Sequence, residues 1–360
     1  PSSSDAGLFQ LRVTATDVHG AAISTTFPLT LLDSSEIVGT TGSDNLSGTV
    51  NGERITGLAG NDVLYGGPGS DVLDGGADQD RLYGEAGDDV LLGGDGSDLL
   101  DGGNGNNQLS GDAGNDNLSV SGNGTNVLDG GEGNDTLNGS VSSGNNQLSG
   151  GAGDDRLYGG SGNDQLDGGD GDDYLSGAGG NDSIVAGIGN DTVVTDGSDT
   201  VDLGAGNDQA YIYNYGSLGS TVTTGSGADT IYLGYWSANG GARVNVVTDF
   251  TAGAGGDVIN FDDYSRNYLT GWDGNSNPFG AGFMQLVQSG ADTLLQIDAD
   301  GATGGTNYQT AFVLQGVTAT DLTSANFTPG FNPDGGITPG ETWTGTSGND
   351  NRTGTVGDDQ

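Results

Sequence analysis

From Gly57 to about Val194 a single apolar side chain returns roughly every nine residues, at Leu64, Leu73, Leu82, Leu91, Leu100, Leu109, Leu118, Leu128, Leu137, Leu148, Leu157, Leu166, Leu175, Ile184 and Val193. Each sits between two mostly polar neighbours, the alternation of a short strand that shows one side chain inward. The six residues before each triplet are chiefly Gly and Asx, which suit left-handed and tight-turn backbone. The pattern therefore predicts a three-residue strand after a six-residue turn. One such unit closes no core. Two make a coil, and stacked coils give two facing parallel sheets with a leucine seam between them. Self-similarity at a short fixed period marks a solenoid, so the expected fold is all-β, a parallel β-roll.

The seam buries little apolar area per coil. At roughly 25 cal/mol per Å² it hardly offsets the ordering of so many glycines. The sixth position of the unit supplies a second source of stability, because it is Asp at 62, 71, 80, 89, 98, 116, 135, 155, 164, 173, 182 and 191. Alternate units fall on one edge of a two-unit coil. Asp62, Asp80, Asp98, Asp116, Asp135, Asp155, Asp173 and Asp191 then form a ladder with rungs about 4.8 Å apart. Bare carboxylates at that spacing repel. Together with carbonyls of the glycine-rich turns they offer the all-oxygen ligand set that Ca²⁺ requires. The competing reading, an acidic Gly/Asp-rich linker without structure, does not account for an in-phase leucine.

The other edge departs from this pattern. Its rungs run Asp71, Asp89, Asn107, Asn126, Asn146, Asp164, Asp182. A neutral amide is a poorer ligand for a hard cation. This edge is expected to lose calcium between Asp89 and Asp164 and to be held by an Asn side-chain ladder; the alternative is neutral drift in a tolerant loop.

The units GGPGSDVLD, GGDGSDLLD, GGAGDDRLY and GGSGNDQLD share the consensus G-G-x-G-x-D-x-L-x. This resembles the calcium-binding nonapeptide of the repeats-in-toxin (RTX) family, over more than a third of the chain. The resemblance implies several Ca²⁺ ions, each between neighbouring turns of one edge and held by the sixth-position Asp side chains and loop carbonyls.

Composition narrows the partners. Seven basic against 50 acidic residues give a net charge of −43, with 74 Gly and no Cys. Nucleic acid is excluded as a natural partner, and cations are favoured. Low cytosolic calcium should leave the repeats unfolded, and extracellular calcium should fold them. No apolar run is long enough to span a membrane and no signal peptide stands at Pro1. The expected location is secreted, extracellular or at a bacterial cell surface.

Along the chain, residues 8–33 read as a β-hairpin around Val18-His19-Gly20. They resemble the closing hairpin of cadherin-like or immunoglobulin-like domains, so 1–36 is assigned as a partial domain. The only histidine, His19, is expected to be a solvated turn residue. The roll is assigned to 37–232. It opens with two degenerate units, in which Asp44 extends the first ladder and Glu53 is off-pattern. It ends with looser units that keep Asp199, Asp208 and Asp229, expected to have larger, more aromatic interiors. Tyr211, Tyr213, Tyr215, Tyr232, Tyr235 and Trp236, followed by Tyr264, Tyr268 and Trp272, are read as a plug for the solenoid, with a sugar-binding platform as the alternative. Residues 233–328 resemble the β-rich region that follows the roll in type I secreted proteins and are assigned as an antiparallel cap. There Asp298 and Asp300 before Gly301 are a weak cation signal. Residues 329–344 form a Pro/Gly linker, and 345–360 restart the repeats, which implies one module of a larger tandem protein.

There is no His-Glu-x-x-His helix, no G-x-S-x-G elbow and no Cys nucleophile, and the chain is not expected to be an enzyme. The favoured reading is a calcium-stiffened structural module of a large secreted bacterial surface protein, with self-assembly of identical modules and a cell-surface or glycan ligand as further possibilities. The alternative is the RTX export and folding tail of a type I secreted enzyme, a protease, lipase or alginate epimerase, whose catalytic domain lies outside this sequence. No flat threonine file of the kind expected for ice binding is present, since the third position runs Ala59, Pro68, Ala77, Ala86, Asp95, Asn104.

Overall fold

The computed structural model describes residues 36–196, 198–213, 219–234, 243–274, 276–301, 305 and 307–335, with backbone alone at 263 and in two strands at 9–16 and 22–29. Those two strands, Phe9–Thr16 and Ala22–Leu29, pair antiparallel with Thr16 opposite Ala22. The hairpin is therefore present, while its turn and His19 lie outside the described residues.

From Glu36 the chain winds into the roll. Strand Val63–Pro68 lies parallel between Asn45–Ser47 and Arg81–Ala86, with Leu46, Leu64 and Leu82 in register. Strand Val72–Ala77 lies in the opposite sheet between Arg54–Ala59 and Val90–Asp95. Two units thus make one coil, and equivalent rungs such as Asp62 and Asp80 stand 18 residues apart. The coils build one sheet of 13 strands and another of 15. Between them runs the seam, in which Leu64, Leu73, Leu82, Leu91 and Leu100 are completely buried.

The strands are longer than the sequence pattern predicts. Val63–Pro68, Val72–Ala77 and Val90–Asp95 each have six residues and run on through the two glycines, leaving three residues for the turn. The reason lies inside the roll. Gly66 is the second inward position of its strand. A methyl placed on it would stand 2.6 Å from the Asp71 Oδ2 atom and 3.0 Å from the Gly84 carbonyl. The glycine leaves room for a carboxylate. The next position is left-handed, with φ of 99° at Gly67 and 71° at Glu85, its counterpart one coil on.

Beyond Val194 the interior stays aliphatic, which corrects the expectation of aromatic coils. Val201, Leu203, Ala210, Ile212, Val222, Ile231 and Leu233 are buried. Strand alternation sends Tyr211 and Tyr232 outward, where their rings stack at 4.3 Å. Tyr215, Tyr235 and Trp236 lie outside the described residues. Aromatic closure comes later, from Phe261, Phe279, Phe327 and Phe331 with Trp272 against Phe331. Of the residues read as the plug, Tyr264 is buried in the same core and Trp272 packs against it, while Tyr268 is exposed.

The parallel ladders continue through Asn245–Val247 and Val258–Asn260 to Gln309–Leu314 and Phe327–Thr328. The antiparallel strands Met284–Ser289 and Asp292–Ile297 then close the 15-stranded sheet. At the other end the two sheets finish on the three-residue strands Glu36–Val38 and Asn45–Ser47. The restart of the repeats at Gly345 lies outside the described residues.

Candidate metal centre

Each sixth-position residue stands at the entry to a strand, where the chain turns into the sheet. Along the runs of Asp rungs its backbone N–H donates to the carboxylate of the equivalent residue one coil on. Asp62 N donates to Asp80 Oδ1 at 2.7 Å, Asp80 N to Asp98 Oδ1 at 2.8 Å, and Asp98 N to Asp116 Oδ1 at 2.7 Å. The next N–H points the other way, as in Arg81 N to the Asp62 carbonyl at 2.9 Å. Each carboxylate therefore clasps its coil to the one before it.

All sixteen predicted positions fall on two such files. The first edge carries Asp44, Asp62, Asp80, Asp98, Asp116, Asp135, Asp155, Asp173, Asp191, Asp208 and Asp229. The second carries Asp71, Asp89, Asp164, Asp182 and Asp199. Asn107, Asn126 and Asn146 stand in the same file, between Asp89 and Asp164.

Oδ1 is accounted for by these bonds. Oδ2 is not. It is buried without a hydrogen-bond partner in Asp62, Asp71, Asp80, Asp89, Asp98, Asp116, Asp135, Asp155, Asp164, Asp173, Asp182, Asp191, Asp208 and Asp229. All fourteen of these residues are at most 3 % exposed. A buried polar atom left unpaired costs about 1–3 kcal/mol, and more when charged. Burial pushes the carboxyls of Asp80, Asp116, Asp173 and Asp182 up to about 7, against hydrogen bonds from the backbone that lower them. Charged neighbours in the same file raise them further. Asp89, Asp155 and Asp191 are pushed up to about 6 by the same causes.

These atoms fit calcium. The unpartnered acceptor is a hard carboxylate oxygen, and a backbone carbonyl borders the same glycine, since a methyl on Gly66 would meet both Asp71 Oδ2 and Gly84 O. Among the described residues no three His, Cys, Asp or Glu side chains converge on one point. That suits a roll, in which carbonyls supply the ligands that a compact acidic cluster would supply elsewhere.

The protein supplies its own donors at the ends of the files. Thr40 N and Oγ1 donate to Asp44 Oδ2 at 2.6 and 2.9 Å. Thr49 N and Oγ1 donate to the Glu53 carboxylate at 2.9 and 2.6 Å, and Glu53 N reaches Asp71 Oδ1 at 2.7 Å. Glu53 is thus a rung despite its type. At the far end Asp229 N donates to Asp257 Oδ1 at 3.1 Å, while Thr251 N and Thr224 Oγ1 reach Asp257 Oδ2 at 2.7 and 3.0 Å.

Asp257 was not among the predicted positions. Its signal is the triplet Asp257-Val258-Ile259, which repeats the Asp-x-Leu phase of the units. A further kind of file also went unpredicted, on the exposed fifth position. Asn134 N donates to Asn115 Oδ1 at 2.9 Å, Asp172 N to Asp154 Oδ1 at 3.0 Å and Asn190 N to Asp172 Oδ1 at 2.7 Å. It runs opposite in direction to the buried file. Asp298 and Asp300 join neither file. Asp298 is buried and accepts from Asn307 N at 3.0 Å, and its hydrogen bond with Asp300 raises the Asp300 carboxyl.

A family model for the RTX calcium-binding nonapeptide repeat (4 copies) matches residues 47–82, 83–118, 120–142, 140–175, 161–193 and 176–210. No curated protein matches the chain. Among the described residues no helix is long and apolar enough to cross a membrane.

Proposed function

Because the repeats at 47–210 belong to the RTX calcium-binding nonapeptide family, we propose that this chain is a calcium-stiffened structural module of a large secreted bacterial surface protein, such as an adhesin, a surface layer or an extracellular filament. The roll itself binds multiple Ca²⁺ ions and is a non-catalytic module. Bound calcium supplies positive charge and oxygen coordination to carboxylates that the fold has removed from water.

The observation that carries this reading is the run of buried Oδ2 atoms without partners along both edges. They divide the work with Oδ1. One oxygen of each rung holds the neighbouring coil by its backbone amide, and the other faces the interior as a bare acceptor. Above neutral pH these carboxyls are anions stacked one coil apart, and the coil-to-coil hydrogen bonds and the leucine seam must resist their repulsion. The acidic chain is therefore open where calcium is scarce and rigid where it is abundant, as outside the cell. Rigidity switched on outside the cell is the proposed role. It suits a surface module that must leave the cell as an extended chain and stand as a rod afterwards.

A calcium titration of the chain, followed by circular dichroism and small-angle scattering and reversed with EGTA, tests this. The expected result is a cooperative change from expanded coil to elongated β-rod. A chain already compact and β-rich in EGTA at pH 7.5 would refute it.

A further inference from the structure

At three rungs the second edge differs from the first by one atom. At Gly66, Gly84 and Gly93, the group facing the glycine is Oδ2 of Asp71, Asp89 and Asp98, at 2.6, 2.6 and 2.5 Å from a methyl placed there. At Gly102 and Gly139 the same place is taken by Nδ2 of Asn107 and Asn146, at 3.0 and 3.1 Å. The orientation of Asn107 and Asn126 follows from fixed backbone donors. Asp89 N donates to Asn107 Oδ1 at 3.0 Å and Asn107 N to Asn126 Oδ1 at 2.9 Å, so the amino group must be the other atom.

Each amino group has acceptors. Asn107 Nδ2 donates to the Gly103 carbonyl at 3.4 Å, and Asn126 Nδ2 to Gly124 O at 3.1 Å and Asn146 Oδ1 at 2.9 Å. Asn146 Nδ2 donates to Gly159 O at 3.1 Å. Gly159 O borders Gly139 as Gly84 O borders Gly66, the glycine in front of the bare Asp71 Oδ2. In an Asp rung both groups that border the glycine, the unpartnered Oδ2 and the carbonyl, are acceptors. In the Asn146 rung the pair is donor and acceptor. The turns that lead into these rungs, NGN before Asn107, GNGT before Asn126 and SSGN before Asn146, carry no charge either.

We infer that Asn107, Asn126 and Asn146 form a metal-free bridge in the second edge, so that calcium binds there in two separate blocks, at Asp71–Asp89 and at Asp164–Asp182. The first edge has no such interruption, since its bare Oδ2 atoms run through every rung from Asp62 to Asp229. The bridge replaces the ion by the –NH₂ donors, which hold together turns that calcium would otherwise join. This rests on the calcium reading of the Asp rungs and adds which rungs it leaves out.

Anomalous diffraction from crystals grown with calcium decides it. Peaks are expected along the first edge and beside Asp71, Asp89, Asp164 and Asp182, with none between Asn107 and Asn146. A peak beside Asn126 in the wild type overturns this inference alone. Absence of peaks beside Asp80 and Asp98 overturns the calcium reading on which it rests. Native mass spectrometry of the Asn107→Asp/Asn126→Asp/Asn146→Asp variant should show more bound ions than the wild type, and an unchanged count overturns the inference. Should that variant fail to fold, the wild-type map still decides.

Discussion

Replacing Asp116 by Asn exchanges one oxygen for an amino group and should change stability in opposite directions with and without calcium. The retained Oδ1 still accepts from Asp98 N, at 2.7 Å in the native chain. The exchanged atom is the Oδ2 that has no partner. Burial lifts this carboxyl from 3.8 to about 7. The raised value means that its contribution is fully present below about pH 3.8 and lost as pH rises through about 7. Without calcium at pH 7.5 the ionised group then costs on the order of 4 kcal/mol, from 3.8 to about 7 at about 1.4 kcal/mol per pH unit. Asn removes that cost. With calcium at a hundredfold excess over its dissociation constant, each site lost removes about 2.7 kcal/mol. The melting temperature of Asp116→Asn should therefore fall in calcium and rise in EGTA, measured by circular dichroism with a protecting osmolyte so that both states fold. In EGTA below about pH 3.8 the two proteins should converge, because both side chains are then neutral. A shift of one sign in both media would refute the assignment of Oδ2 to a cation.

Acidification in EGTA should itself restore β-structure, because the carboxyls of Asp80, Asp173 and Asp182, pushed up to about 7, favour folding only as they gain protons; far-ultraviolet circular dichroism between pH 7.5 and about 4 measures this, and a flat profile would contradict it. Gly66→Ala should destabilise the calcium-loaded roll by about 1–3 kcal/mol in urea titration, since its methyl meets Asp71 Oδ2 at 2.6 Å and Gly84 O at 3.0 Å. Glu85→Gly should stabilise it by about 1 kcal/mol in the same assay, by relieving a left-handed residue with φ of 71°.

The leucine period made the seam, the two-unit coil and the assignment of each Asp to an edge legible, because apolar burial and carboxylate spacing follow directly from the count of residues. The six-residue strands were not legible. A glycine at position 66 reads as turn chemistry until the carboxylate of Asp71 is known to fill the space in front of it. Asp257 was hidden for a different reason. The steps to it are irregular, 21 residues from Asp208 to Asp229 and 28 from Asp229 to Asp257, so no fixed period reaches it. The outward Tyr211 and Tyr232 followed from simple alternation and were misjudged because aromatic content was taken as a sign of interior. The Asn rungs were visible as departures, but the direction of their amino groups required the backbone donors.

The 18-residue coil also sets a mechanical property. Each coil adds about 4.8 Å to the length of the roll. Pulled straight, its 18 residues reach roughly 60 Å. A load applied along the roll axis can therefore lengthen the chain more than tenfold, coil by coil, starting from the three-residue strands at which the two sheets finish. On the proposed calcium-stiffened reading, ambient calcium would set the force at which each coil yields, and the wound chain would be slack held in reserve until the load exceeds it.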